Sequence, residues 1–324
     1  MKQRPWLLMM IPLALSILCF AVAQSEQTLG KIAITQAAIK SDAGQVPQTR
    51  IVMLGTGTPN AEPGRMGSCV AIVVGEQPYL VDLGAGLVNR ANAAAEKGVT
   101  GLKPKNLNIA FVTHLHSDHT VGFPDLILTP WVLERKEPLQ VYGPPGLKAM
   151  SENLLKAYEQ DIASRLFGLE PANRTGYKVE AHEFTEGGVV YRDENVTVKA
   201  FEVQHGAWPY AFGYRFETPD CVIVVSGDTV YSESLIAAAK DCDVLIHEVY
   251  SQAGWELRDE FWQRYHQEHH TSSVEVGKLA AQVKPDLLIL SHTLYWGATK
   301  ETMLEEVGRN FKGKTVIAQD LDIF

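Results

Sequence analysis

From about residue 49 onward, short apolar runs alternate with polar turns that carry glycine or proline. Residues 50–54, 71–74, 79–82, 107–112 and 140–142 are rich in β-branched and aromatic side chains, which predicts strands. Between them, residues 87–97 and 147–166 place apolar side chains at i, i+3 and i+4 over alanine-rich or charged faces, which predicts amphipathic helices. The second half repeats the scheme. Strands are expected at 196–203, 211–216, 222–225, 244–247, 287–290 and 315–318, with helices at 232–239 and 272–282. There is no tandem repeat or internal linker, so the pattern reads as one α/β domain over residues 49–324, made of two similar halves.

Residues 1–48 break this pattern. Lys2 and Arg4 precede an uncharged run, 6–22, that closes on Ala21-Val22-Ala23, the small-x-small pattern a signal peptidase needs. Residues 1–23 are therefore expected to be a cleavable signal peptide, and residues 24–48 a polar leader onto the domain. The run is at the short limit for a membrane span, and Leu18 stands where lipid attachment at Cys19 wants a small residue. The expectation is a periplasmic or secreted protein with no stable membrane insertion after cleavage.

Removing residues 1–23 takes the formal charge from −9 to −11, since only Lys2 and Arg4 are charged there. So acidic a chain is poorly suited to holding a polyphosphate backbone, which argues for a small-molecule partner and against nucleic acid. Cys69, Cys221 and Cys242 are an odd set that excludes a full disulfide framework; Cys221 and Cys242 could pair, but small core residues are the favoured reading. A homodimer is left open.

The chemistry concentrates in His114-Leu115-His116-Ser117-Asp118-His119, directly after an apolar strand. Imidazole and carboxylate packed this tightly suit cations of the zinc, iron or manganese kind, and four such groups in six positions point to two ions. His205, Asp228 and His292 each stand where another predicted strand runs out into a loop, the place sheet enzymes put reacting groups. Together these are seven ligands, the number that two metals sharing one carboxylate would use.

With these residues in place the chain resembles the metallo-β-lactamase superfamily, and more narrowly its ribonuclease Z and alkyl/aryl sulfatase-like branch. The resemblance rests on Leu80-Val81-Asp82-Leu83-Gly84, the histidine cluster, His205, Ser226-Gly227-Asp228-Thr229 and Ser291-His292, in that order. Branch-level echoes are Leu245-Ile246-His247-Glu248 and His270-Thr271-Ser272. It implies a four-layer αβ/βα sandwich. It also implies that His114, His116 and His205 hold one divalent ion and Asp118, His119 and His292 the second, with Asp228 between them and zinc preferred over manganese or iron. Asp82 would steady the histidine loop. Asp118 would orient the attacking water, and a His270–Glu248 pair would protonate the leaving oxygen. His269 competes with His270 for that role, His247 is expected to be structural, and His182 has no motif around it.

The resemblance also implies a basic arm that grips transfer RNA, between the third ligand region and the bridging aspartate. Here only residues 206–227 separate His205 from Asp228, and two predicted strands almost fill them. Aromatic side chains gather near the ligands instead: Trp131, Trp208, Tyr210, Tyr231, Trp255, Phe261, Trp262, Tyr265, Tyr295 and Trp296. Residues 253–268 mix aromatics with acids and arginines and read as a mobile lid rather than a core helix. The expected enzyme is an exported dinuclear hydrolase of small phosphodiester or sulfate esters. Tyr231, three residues after Asp228, keeps a lactonase as the alternative. A β-lactamase is disfavoured by Asp228 where cysteine is common, a flavodiiron oxidoreductase by Leu115 and Ser117, and a non-catalytic metal-binding module by the full ligand set.

Overall fold

The computed structural model describes residues 49–170 and 172–324. The expected signal peptide and leader, residues 1–48, lie outside the described residues. Thirteen strands form two sheets among the described residues. The first contains β1 (Thr49–Gly55), β2 (Cys69–Val74), β3 (Gln77–Val81), β4 (Ile109–Phe111), β5 (Leu139–Gly143) and β6 (Val179–Glu183), in that spatial order. The second contains β7 (Gly188–Arg192), β8 (Thr197–Glu202), β9 (Phe212–Glu217), β10 (Val222–Val225), β11 (Val244–Tyr250), β12 (Leu287–Leu294) and β13 (Lys314–Ile317). Both sheets are mixed: β1–β3 pair antiparallel and β3–β6 parallel, while β7–β10 pair antiparallel and β10–β13 parallel.

The strand period of two sorts side chains into layers. Ile51 and Met53 face the second sheet, in a core with Ile72, Phe111, Tyr214, Phe216, Ile223 and Ile246. Val52 and Leu54 point the other way, onto Leu87, Val88 and Ala91 of helix Leu87–Glu96. In the second sheet, Ile223 and Val225 face inward, while Val224 meets Leu279 and Ala280 of helix Ser273–Val283. β2 is apolar throughout because both its faces are covered, as parallel and sandwiched strands require. The result is the expected four-layer αβ/βα sandwich.

Some elements depart from the sequence pattern. The single helix expected at 147–166 is two, Leu147–Ala157 and Glu159–Phe167, with Tyr158 at φ −100° and ψ 15° between them. Only Leu147, Ser151 and Ile162 are buried along this pair, so little packing holds it straight. Residues 253–268, read as a mobile lid rather than a core helix, form helices Gln252–Glu256 and Glu260–His269, capped by Ser251 and Asp259. Edge strands β6 and β7 were not expected: β6 carries only Val179 and Ala181 as apolar residues, and β7 opens on the exposed Gly188 and Val189, so neither gives a clear apolar alternation. No helix among the described residues is long and apolar enough to cross a membrane.

Candidate metal centre

The C-terminal ends of β4, β8, β10, β11 and β12 bring together the seven expected metal ligands and Glu248, while His182, Trp131 and Tyr231 lie elsewhere. His114 is fully buried, and its Nδ1 lies 3.0 Å from Thr113 Oγ1, so Nε2 faces His116 Nδ1 at 2.8 Å. After β8, the His205 Nδ1–H donates to the carbonyl of His269 at 2.7 Å, which directs Nε2 to within 3.1 Å of His116 Nδ1. The Trp208 indole N–H donates to the far side of the same ring, His116 Nε2, at 2.7 Å. Three imidazole nitrogens thus converge on one point.

A second group adjoins it. Asp82, at the end of β3, accepts from the His119 Nδ1–H at 2.8 Å and from the Thr113 backbone N–H at 2.8 Å. That leaves His119 Nε2 facing Asp118 Oδ2 at 3.5 Å and Asp228 Oδ2 at 3.4 Å. His292 Nε2 lies 3.1 Å from Asp118, and its Nδ1 lies 3.7 Å from Asp228 Oδ1. Asp82 (φ 64°) and His292 (φ 47°) both occupy the left-handed backbone region, a strain on the order of 1–3 kcal/mol each that the surrounding sheets sustain.

These donors fit divalent cations. His119 Nδ1 is committed to Asp82, so a neutral His119 presents a lone pair to two carboxylates, and its Nε2 is buried with no hydrogen-bond partner. The same holds for His292 Nδ1 beside Asp228. Only a positive charge relieves that arrangement. In a metal-free site a proton takes the place: burial opposes charging His119, but Asp228 and Asp82 outweigh it and hold the imidazole well above its ordinary range. Burial likewise opposes the Asp228 carboxylate, yet His292 and His119 keep it ionised far below the usual range. In the three-histidine group burial dominates instead and pulls His114 and His116 down and His205 down to about 3, so these rings are neutral donors.

His270 and Glu248 lie beside this cluster. His270 Nδ1 is 3.2 Å from Glu248 Oε2 and 3.9 Å from Asp228 Oδ2, and Glu248 Oε1 accepts from the Thr271 backbone N–H at 2.7 Å. Burial and the charge of Asp228 push Glu248 up, while burial pulls His270 down to about 4, so the pair is arranged to hold one proton. His269 turns elsewhere. Its Nδ1–H donates to the Tyr265 carbonyl at 2.7 Å, and its ring stacks on Tyr265 and packs over Gly206, so its contribution here is the backbone carbonyl that orients His205. His247 donates to the Glu248 carbonyl and His182 pairs with Gln140, both away from the converging atoms.

The gathered aromatics separate into two sets. Trp262, Tyr265 and Trp296 wall a cavity of about 420 Å³ that His116, Asp118, Asp228, His270 and His292 also line. A second cavity of about 520 Å³ shares Pro59, Asn60, Ser117 and Asp118 with it, so open space continues past the cluster on the side of Asp118. Trp131 is core, with its indole N–H on the Asn173 carbonyl. Tyr231 points away and accepts from Gln282 at 2.6 Å, which removes the observation that favoured a lactonase. The sequence places Trp208 among the aromatics near the ligands but not its donation to His116 Nε2, and nothing in it announces the wall built by residues 60–67.

A model of the beta-lactamase superfamily domain matches residues 78–293. The chain belongs to the metallo-β-lactamase superfamily. Members of this superfamily bind divalent metals. The chain is a homologue of ribonuclease Z: that of Mycobacterium sp. (strain KMS) is 33% identical over 246 residues, 75% of this chain and 84% of the relative. Solved structures share the fold. The metallo-β-lactamase fold protein YhfI from Bacillus subtilis matches at 16% identity with a TM-score of 0.65, over 85% of this chain and 98% of its own. Human tRNase Z, short form, matches at 21% with a TM-score of 0.62, over the same shares. A diphosphatase of the PhnP family matches at 15% with a TM-score of 0.56, over 85% and 97%. The chain is thus a metal-dependent hydrolase of this superfamily, with relatives that act on phosphodiesters.

Proposed function

We propose that the protein is an exported, dinuclear phosphodiesterase acting on small molecules. The observation that carries this reading is the convergence of His114, His116 and His205 beside Asp118, His119 and His292, with Asp228 within reach of both groups. Those seven residues would hold two divalent ions, zinc foremost. The chemistry such ions supply when bound is Lewis acidity: an acidified water and neutralised charge on the ester oxygens.

The other steps belong to the chain itself. Asp118, between His119 and His292 at the floor of the cavity, orients the attacking water. The His270–Glu248 pair carries the proton that the leaving oxygen needs, as general acid catalysis requires. Asp82 fixes the tautomer and direction of His119.

Three features support a small substrate over transfer RNA. Residues 206–227, where the resemblance to ribonuclease Z implies an RNA-gripping arm, hold β9 and β10. The chain is acidic, with a formal charge of −9. The cavity beside the cluster has aromatic walls and the size of a small-ligand pocket. Phosphodiesters are favoured over sulfate esters because the relatives are ribonuclease Z and the fold neighbours include a diphosphatase.

The test is a parallel assay of the zinc-loaded chain on an aryl phosphodiester, an aryl sulfate, an acyl-homoserine lactone, a cephalosporin and a precursor transfer RNA. The phosphodiester should be turned over fastest. A lactone or a precursor transfer RNA preferred by about two orders of magnitude would overturn the proposal. Amino-terminal sequencing of the protein recovered from its native host tests export, with a start near Gln24 expected; a start at Met1 contradicts it.

A further inference from the structure

Arg258 lies in the link between helices Gln252–Glu256 and Glu260–His269 and lines the same cavity as Asp118, Asp228 and His292. Its guanidinium carbon stands 5.5 Å from the ring centre of Trp262 and 5.7 Å from that of Trp296, so two indoles hold the group in place. Among the described residues it donates no side-chain hydrogen bond and forms no ion pair, and its Nε is buried without a partner. The other well-covered arginines are spent: Arg65 and Arg215 donate to carboxylates and carbonyls, and Arg135 donates to four backbone carbonyls.

The neighbouring acids do not supply the missing counterion. Asp259 caps helix Glu260–His269 by accepting from the Trp262 backbone N–H at 3.1 Å, and Glu256 accepts from Gln252 at 3.0 Å. The only carboxylates lining the cavity, Asp118 and Asp228, are engaged with the histidines of the cluster. A half-buried, positioned guanidinium with unused donors in a cavity is a ready site for an anion, because its planar fork matches carboxylate and phosphate oxygens.

We infer that the cavity selects phosphodiesters that carry a second anionic group, a carboxylate or a phosphate, on the aromatic or heterocyclic part of the molecule, with Arg258 as the specificity-determining residue. The inference rests on the hydrolase reading for where the scissile ester sits. Trp262, Tyr265 and Trp296 line the cavity and give the planar body between ester and anion apolar surface to pack on. Water adds to phosphorus, the P–O bond to the better leaving group breaks, and that oxygen leaves with a proton; the second anion is unchanged throughout.

Three 4-nitrophenyl phosphodiesters test this, whose second ester group is 4-carboxyphenyl, 4-(phosphonomethyl)phenyl or the neutral 4-carbamoylphenyl. We expect kcat/KM for at least one anionic substrate to exceed that of the carbamoyl twin by tenfold or more. Arg258→Gln should collapse that ratio to within about threefold, and Arg258→Lys should restore part of it. Which anionic probe leads distinguishes carboxylate from phosphate. A ratio near one in the unaltered protein, or a ratio that Arg258→Gln leaves intact, overturns the inference. Binding of 4-carboxybenzylphosphonate and its 4-carbamoyl twin, followed by tryptophan fluorescence, reads the same preference without turnover. Preferential binding lost in Arg258→Gln, with no turnover of any ester, sinks the hydrolase reading alone; turnover without preference sinks this inference alone.

Discussion

The Nδ1–H of His205 donates to the backbone carbonyl of His269 across 2.7 Å, so the end of helix Glu260–His269 sets the direction of a candidate metal ligand. The junction is tight. Gly206 adopts φ +54°, and a Cβ there would lie 1.9 Å from His269 Nε2.

Gly206→Ala therefore combines a left-handed backbone penalty of about 1 kcal/mol with displacement of the His269 ring. The altered chain should fold but retain metal at least tenfold more weakly in competition with a chromophoric chelator, as loss of an orienting partner does. Unchanged retention would show that the His269 carbonyl does not orient His205.

Asp82 joins β3 to the histidine loop through Thr113 and His119. Asp82→Asn keeps the shape but loses the charge that holds the His119 Nδ1 proton. Metal affinity is expected to fall roughly 10- to 100-fold, with more loss in Asp82→Ala. A chelator titration showing equal affinities for Asn, Ala and the unaltered residue would contradict this.

His270→Ala should cost about tenfold or less with a 4-nitrophenyl leaving group but on the order of 10²–10⁴-fold with an unactivated alkoxide, which cannot leave without a proton. Glu248→Gln should follow the same order with smaller losses. Equal losses on both substrates would remove the pair from the proton-donor role.

Arg135 is a structural counterpart to Arg258. It is buried, and its donors bind the carbonyls of Leu107, Leu126, Ile127 and Gly176, tying helix Phe123–Val132 to the loops around it. Arg135→Leu leaves those carbonyls unpaired and should cost roughly 3–5 kcal/mol, a fall in Tm on the order of 10 °C. A calorimetric Tm within a degree or two of the unaltered chain would refute that role.

The fold and the cluster were legible for different reasons. Strands such as β10 and β12 begin as continuous apolar runs, and a polar residue soon after each run is the one the sheet delivers to the site: Asp228 lies just beyond β10, and His292 lies within β12 near its C-terminal end. The His270–Glu248 contact spans 22 residues and was visible only through the motifs at each end. Helix Glu260–His269 was hidden because its inward face is Trp262, Tyr265, His266 and His269, which have helical spacing but do not read as an apolar stripe. Tyr231 shows the opposite failure. It has the right spacing from Asp228, yet its side chain turns onto helix Ser273–Val283, because position along the chain does not fix which way a loop residue faces.

The proposed hydrolysis requires two metal ions acting together within one set of seven side chains. Its most direct test is to strip the protein with chelator and follow hydrolysis of bis(4-nitrophenyl) phosphate as zinc is returned in measured equivalents. Activity should rise to a plateau at two equivalents per chain, and His116→Ala should stay near baseline throughout. Full activity at one equivalent, or none at any, would contradict it.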